Sequence, residues 1–236
     1  MPSEPSEFRD AAKRGVFPFE RKTFGRSAFG VPLEYVPSAE DSRLLVLAAI
    51  HGEEPETTFL LSRSLRLLSK PPRHVACILS MNPDGLLLGT RGNLHGVDLN
   101  RNFPTADWTP GKTLSRLTLE SPRVTELSTG TSPASEPETR ALLSLVQTLK
   151  VQRMVALHAP FGWVDSDART ELSASLEKVF DLPWNCGAGY ATPGSLGTFA
   201  AERGLECVTV ELPREAPEIL DARYAEPFAR FLRDYE

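Results

Sequence analysis

A chain of 236 residues, 41% of them hydrophobic, can bury a sizeable core, and its length suits one α/β domain. Its formal charge of −5 and the lack of any long Lys/Arg run exclude a general nucleic-acid binder and a polybasic membrane patch. No apolar run approaches the ~18 residues needed to span a bilayer. The opening MPSEPSEFRDAAKRG lacks the basic-then-apolar order of a secretory signal, so a soluble, cytoplasmic protein is expected.

Residues 1–24 read as a polar N-terminal arm and 25–236 as the folded domain. The run 43–50 (RLLVLAAI) is apolar throughout, as in a strand buried on both faces. Residues 55–69 follow with helical spacing, Pro55 suiting the first turn and Pro71-Pro72 ending it. A second buried strand is predicted over 74–81 (HVACILSM) and an ordered loop over 82–104. The Thr, Ser and Pro of 105–134 indicate a long loop, of the kind used as a lid or binding segment. Ser135 and Glu138 fit an S-x-x-E capping box opening the next helix. Strands over 151–157 and 206–212, helices over 171–180 and 216–235, and a glycine-rich loop over 187–197 complete the chain. Cys77, Cys186 and Cys207, odd in number and without paired spacing, read as free, mostly buried thiols.

Strands alternating with helices predict a single α/β domain with a mixed, mostly parallel sheet flanked by helices. Such sheets bind ligands at the carboxyl ends of their strands. His51, Asn82, His158 and Glu211 all fall at or just beyond such an end. His51-x-x-Glu54 places two donors where strand turns to helix, and His158 from another strand would complete a His₂Glu set with one open position. Mixed nitrogen and oxygen donors suit zinc better than magnesium or calcium. Alone, H-x-x-E also suits a surface ion pair or a cap; two of only four histidines closing strands on one sheet edge favour the metal. His74, opening a strand, and His95, in a loop, read as structural. The segment GTRGNLHGVDLNRNFP carries Arg91, Asp98, Asn100 and Arg101, more polar chemistry than a core needs. One arginine fork there can anchor a substrate carboxylate while another faces an oxyanion.

The motifs HGEE, NPDG, GTRGN, GVDLNRNFP, SEPET, LH, YATPGS and VEL, in this order, resemble the carboxypeptidase A-like zinc metallopeptidase family. Within it, GRSAFGVPLEYVP and GYATPGSLGTFAAERGLECVTVELPRE are similar to the murein peptide amidase branch. The resemblance implies a zinc carboxypeptidase-like fold over 25–236, and one zinc per chain on His51, Glu54 and His158. It implies Glu211 as the catalytic carboxylate and Arg91 as the group polarising the scissile carbonyl. Asn100, Arg101 and Tyr190 take the substrate-binding positions, and Asp98 the position that hydrogen-bonds the first zinc histidine. Ser195 and Thr198 are candidates for part of a polar side-chain pocket, and Asp165 is a further candidate, for a second amine on the leaving group.

For this branch the implied reaction is hydrolysis of the γ-D-glutamyl–meso-diaminopimelate bond in murein tripeptide, with that small peptide as partner and no nucleic acid or membrane. Three other readings stand beside it: a carboxypeptidase on ordinary peptides, a deacylase of small N-acyl amino acids, and a non-catalytic zinc-dependent module that binds cell-wall fragments. The sequence leaves the oligomeric state open, a homodimer included.

Overall fold

The computed structural model describes residues 7–115, 125–187 and 191–236. An antiparallel ribbon, β1 (Lys22–Arg26) and β2 (Pro32–Tyr35), comes first. Next are β3 (Leu44–Leu47), α1 (Pro55–Leu67), β4 (Val75–Ile78), α2 (Pro83–Leu88) and a 3₁₀ turn, Leu99–Arg101. A second ribbon pairs β5 (Lys112–Ser115) with β6 (Thr125–Ser128) and leads into α3 (Pro137–Leu149). The chain ends with β7 (Arg153–His158), β8 (Phe161–Asp165), α4 (Glu171–Phe180), β9 (Trp184–Asn185), α5 (Leu196–Ala201), β10 (Glu206–Pro213) and α6 (Pro217–Asp234).

The central sheet runs β4-β3-β7-β10-β8-β9. Its first four strands are parallel, β8 turns antiparallel to β10, and β9 follows β8. Every residue of β3 and β4 is buried, because helices cover both faces and leave no strand position for water. On one face, Val46, Val155, Val208 and Val210 pack against α1, α4 and α6, with Phe180 and Phe228 at its centre. On the other, Leu45, Leu47, Met154 and Ala156 meet Leu142 of α3 and Phe199 of α5.

Several local expectations are corrected. The capping box does not form: Glu138 is fully buried, accepting from the backbone N–H of Ala28 (2.7 Å) and from Asn93 Nδ2 (3.1 Å). The residue capping α3 is Glu136, and Ser135 donates to its carboxylate instead. The 105–134 stretch holds the β5–β6 ribbon, and 82–104 holds α2 and the 3₁₀ turn. Within the N-terminal arm, Phe8 is buried, Arg9 N–H donates to Leu67 O (2.8 Å), and β1 begins at Lys22. Cys77 is buried as expected, but Cys186 is exposed.

Candidate metal centre

Three parallel strands deliver the site. As β3 ends, Ala49 turns into the left-handed region (φ 47°), a conformation that costs a non-glycine residue about 1–2 kcal/mol. The turn is held from both sides: Ala49 N–H donates to Thr57 Oγ1 (3.0 Å) and its carbonyl accepts from Asn82 N–H (2.9 Å). A Cβ on the next glycine, Gly52, would fall 1.9 Å from the carbonyl carbon of Gly85 in α2. The glycines of HGEE and NPDG are therefore one backbone-on-backbone contact, and it fixes where His51 stands. Glu54 occupies the N-cap of α1 without capping it, so its carboxylate points elsewhere, in a position the helix dipole favours. His158 closes β7, with Glu211 beside it in the parallel register with β10.

The side chains converge. His51 Nδ1 lies 2.8 Å from Glu54 Oε1, and His158 Nδ1 lies 3.1 Å from Glu54 Oε2 and 3.2 Å from His51 Nδ1. All three residues are buried, at 2, 5 and 4% exposure for His51, Glu54 and His158. Asp98, wholly buried, takes His51 Nε2 at 3.2 Å, which leaves Nδ1 as the nitrogen facing the other donors. Arg91 donates through Nε to Asp98 (3.1 Å) and lies 3.4 Å from both Glu53 and Glu54.

Electrostatics follow from this crowding. Burial works against a charged Glu54, but His51 and His158 prevail and hold it far below the usual carboxylate range. Asp98 is likewise held low against burial by Arg91 and His51. Burial and Arg91 disfavour a charged His51, yet Glu54 and Asp98 outweigh them and raise it; for His158 burial wins and lowers it. Glu211 differs from the other carboxylates. Burial, then the like charge of Glu54, push it up to about 8, and its Oε2 is buried with no hydrogen-bond partner among the described residues.

Two imidazole nitrogens and a carboxylate, buried and facing one another within 4.8 Å, form a donor set that fits a zinc ion, and the orphaned Glu211 oxygen sits in the same cleft. That cleft, about 310 Å³, is lined by His51, Glu54, His158, Arg91, Arg101 and Glu211 among others. Asn100 also lines it; its Oδ1 accepts from Leu196 N–H (2.8 Å) and its carbonyl from Arg101 (2.7 Å). Tyr190 lies outside the described residues. Sequence reasoning missed Glu53, the further partner of Arg91, although it adjoins Glu54 in HGEE. It also missed Phe161 and Thr209, which reach the cleft only through strand pairing.

Residues 74–163 match the family model for zinc carboxypeptidases. Over 228 residues the chain is 39% identical to murein peptide amidase A of Escherichia coli (strain K12), covering 95% of this chain and 94% of that one. The chain belongs to the zinc carboxypeptidase family. Murein peptide amidase A of Vibrio campbellii (strain ATCC BAA-1116) is also 39% identical, over 94% of this chain and 90% of its own. The crystal structure of a murein-tripeptide amidase from Escherichia coli O157 superposes with a TM-score of 0.93 at 37% identity, covering 98% of this chain and 99% of that one. The expected branch and the α/β zinc carboxypeptidase-like fold are thereby borne out, and the chain is a hydrolytic enzyme of this family. Among the described residues no helix is long and apolar enough to cross a membrane.

Proposed function

We propose that this enzyme hydrolyses the γ-D-glutamyl–meso-diaminopimelate bond of murein tripeptide, using one zinc held by His51, Glu54 and His158. Near-full-length similarity to murein peptide amidases supports the substrate. The observation that carries the chemistry is the buried, unpartnered oxygen of Glu211 beside a His₂Glu set. When bound, zinc supplies a Lewis acid that polarises the scissile carbonyl and acidifies a water.

The chain's own residues do the rest. Glu211, whose buried Oε2 has no hydrogen-bond partner among the described residues, acts as the ionised base that accepts a proton from the attacking water and returns it to the leaving amine. Arg91, already anchored by Asp98, offers its remaining N–H groups to the charge developing on the carbonyl oxygen. Arg101 holds the leaving group's α-carboxylate. Asn100, its Oδ1 committed to α5, keeps its amide N–H₂ for the same group. Tyr190 takes the substrate-closing role by resemblance alone. The hydroxyls of Ser195 and Thr198 share one hydrogen bond (3.0 Å), leaving one hydroxyl proton to donate into the cleft.

Product analysis tests the reading. L-Ala-γ-D-Glu-meso-diaminopimelate should be split to L-Ala-D-Glu and free diaminopimelate, with ordinary α-linked peptides far slower. Faster release of common amino acids from the α-linked panel would leave a general carboxypeptidase in its place.

A further inference from the structure

The cleft continues past the metal centre into a second hollow of about 240 Å³. Five residues line both: Asp165, Asp167, Gly197, Ala201 and Thr209. None of the metal ligands, Arg91 or Arg101 lines the second hollow, so these five mark the end of the cleft away from the zinc. That end has no lysine or arginine among its described lining residues and is acidic, whereas the metal end holds both arginines.

Strand pairing aims Asp165 into this recess. In the antiparallel register of β8 with β10, Asp165 lies opposite Thr209, and Trp163 opposite Glu211. Side chains two apart on a strand share a face, so Asp165, Thr209 and Glu211 project to the same side of the sheet. Val164, Val208 and Val210 point to the other. Asp165 is half-buried; one carboxylate oxygen accepts from Gly187 N–H (2.6 Å), and the other has no hydrogen-bond partner among the described residues.

A second, independent feature is Gly197. It lies in α5 with an ordinary helical φ, and among the described residues a Cβ there would meet only Ser195 Oγ at 3.8 Å. Glycine is the poorest helix former after proline, and here neither backbone nor packing requires it. Gly197 lines the cleft one helical turn from Ala201, another small residue on the same wall, so the missing side chain leaves room there.

We propose that Asp165 is a specificity-determining residue that binds the distal ammonium of the leaving amino acid's side chain, in a recess kept open by Gly197. This rests on the murein reading above, in which that side chain is the D-centre half of diaminopimelate. A carboxylate in a partly desolvated recess without a protein cation gains most from a charged N–H donor, and rejects a side chain that leaves it unpaired.

The test compares kcat/KM for the tripeptide ending in meso-diaminopimelate with one ending in 2-aminopimelate, which lacks only the distal amine. Wild type should prefer the first by at least about tenfold, and Asp165→Asn should abolish the preference while keeping the acceptor for Gly187 N–H. A damaged fold would lower both values and preserve their ratio, so an unchanged ratio in Asp165→Asn overturns the proposal. Gly197→Val should cost the diaminopimelate peptide more than one ending in alanine; equal losses count against the recess. If wild type instead acts on ordinary peptides, the murein reading has failed and lysine and norleucine ends replace the pair. Asp165 then requires a lysine preference that Asp165→Asn removes, and its absence refutes the assignment.

Discussion

Two clusters of histidine and carboxylate stand at opposite ends of the strands of one sheet. Beyond the carboxyl ends of β3 and β7 are His51, Glu54 and His158; at the amino ends of β3 and β4 are Glu40, Asp41 and His74. Residue types are alike, and surroundings separate them. In the second cluster Arg73 donates to Glu40 (2.8 Å) and Arg43 to Asp41 (2.9 Å), both carboxylates facing solvent. His74 Nδ1 lies 3.0 Å from the carbonyl oxygen and from a carboxylate oxygen of Asp41, and its Nε2 is 3.8 Å from Glu40, so a single ring meets two solvent-facing carboxylates. At the first cluster one carboxylate faces the Nδ1 atoms of two histidines in a buried cleft. A metal site is thus set by burial and by how many ring nitrogens converge on one carboxylate, more than by which residue types gather.

Breaking the first cluster should have the largest effect. Glu54→Ala should abolish both activity and the stoichiometric zinc of about one ion per chain, because two imidazoles alone make a weak zinc site. Elemental analysis of the purified variant decides it; full zinc with normal turnover would remove Glu54 from the centre.

Glu211→Gln sharpens the contrast between holding a metal and using it. Zinc content should stay while turnover falls at least ~10²-fold. Metal-free protein adds a pH signature. A carboxylate raised to about 8 in the fold, from 4.5 unfolded, makes the native state bind more protons than the unfolded one. Its contribution is fully present below pH 4.5 and is lost as pH rises through about 8. Metal-free wild type should therefore lose melting temperature across that window, with a smaller loss in Glu211→Gln; identical profiles would mean that Glu211 does not titrate there.

The smallest effect is expected at the second cluster. His74→Gln keeps a donor for the Asp41 carbonyl and should leave zinc content and turnover unchanged, at a stability cost of about 1 kcal/mol. Denaturant midpoints and metal analysis check both; loss of activity would make the two clusters functionally equivalent.

The metal end was legible because its signals are local. The buried stretches of β3 and β7 are apolar, so His51 and His158 stand out as the polar residues at their carboxyl ends. The H-x-x-E spacing is a single turn of chain. Other features were decided by partners distant in sequence. Glu138 looked like a capping residue, but burial against Asn93 and Ala28, 45 and 110 positions away, claimed its carboxylate. β8 was unreadable because a half-buried FGWVD beside β10 shows little periodicity, with Val164 its only fully buried residue. Yet that pairing sets Asp165 opposite Thr209 and turns it toward the cleft. Gly197 reads in sequence as the end of a glycine-rich loop, and only the packed helix shows that it opens onto a recess. The sequence by itself determined which residues could hold the metal, since burial runs and ligand spacing are properties of short segments. Tertiary structure alone decided that Phe161 and Thr209 share the cleft with them, because cross-strand register and side-chain partners are fixed by non-local packing.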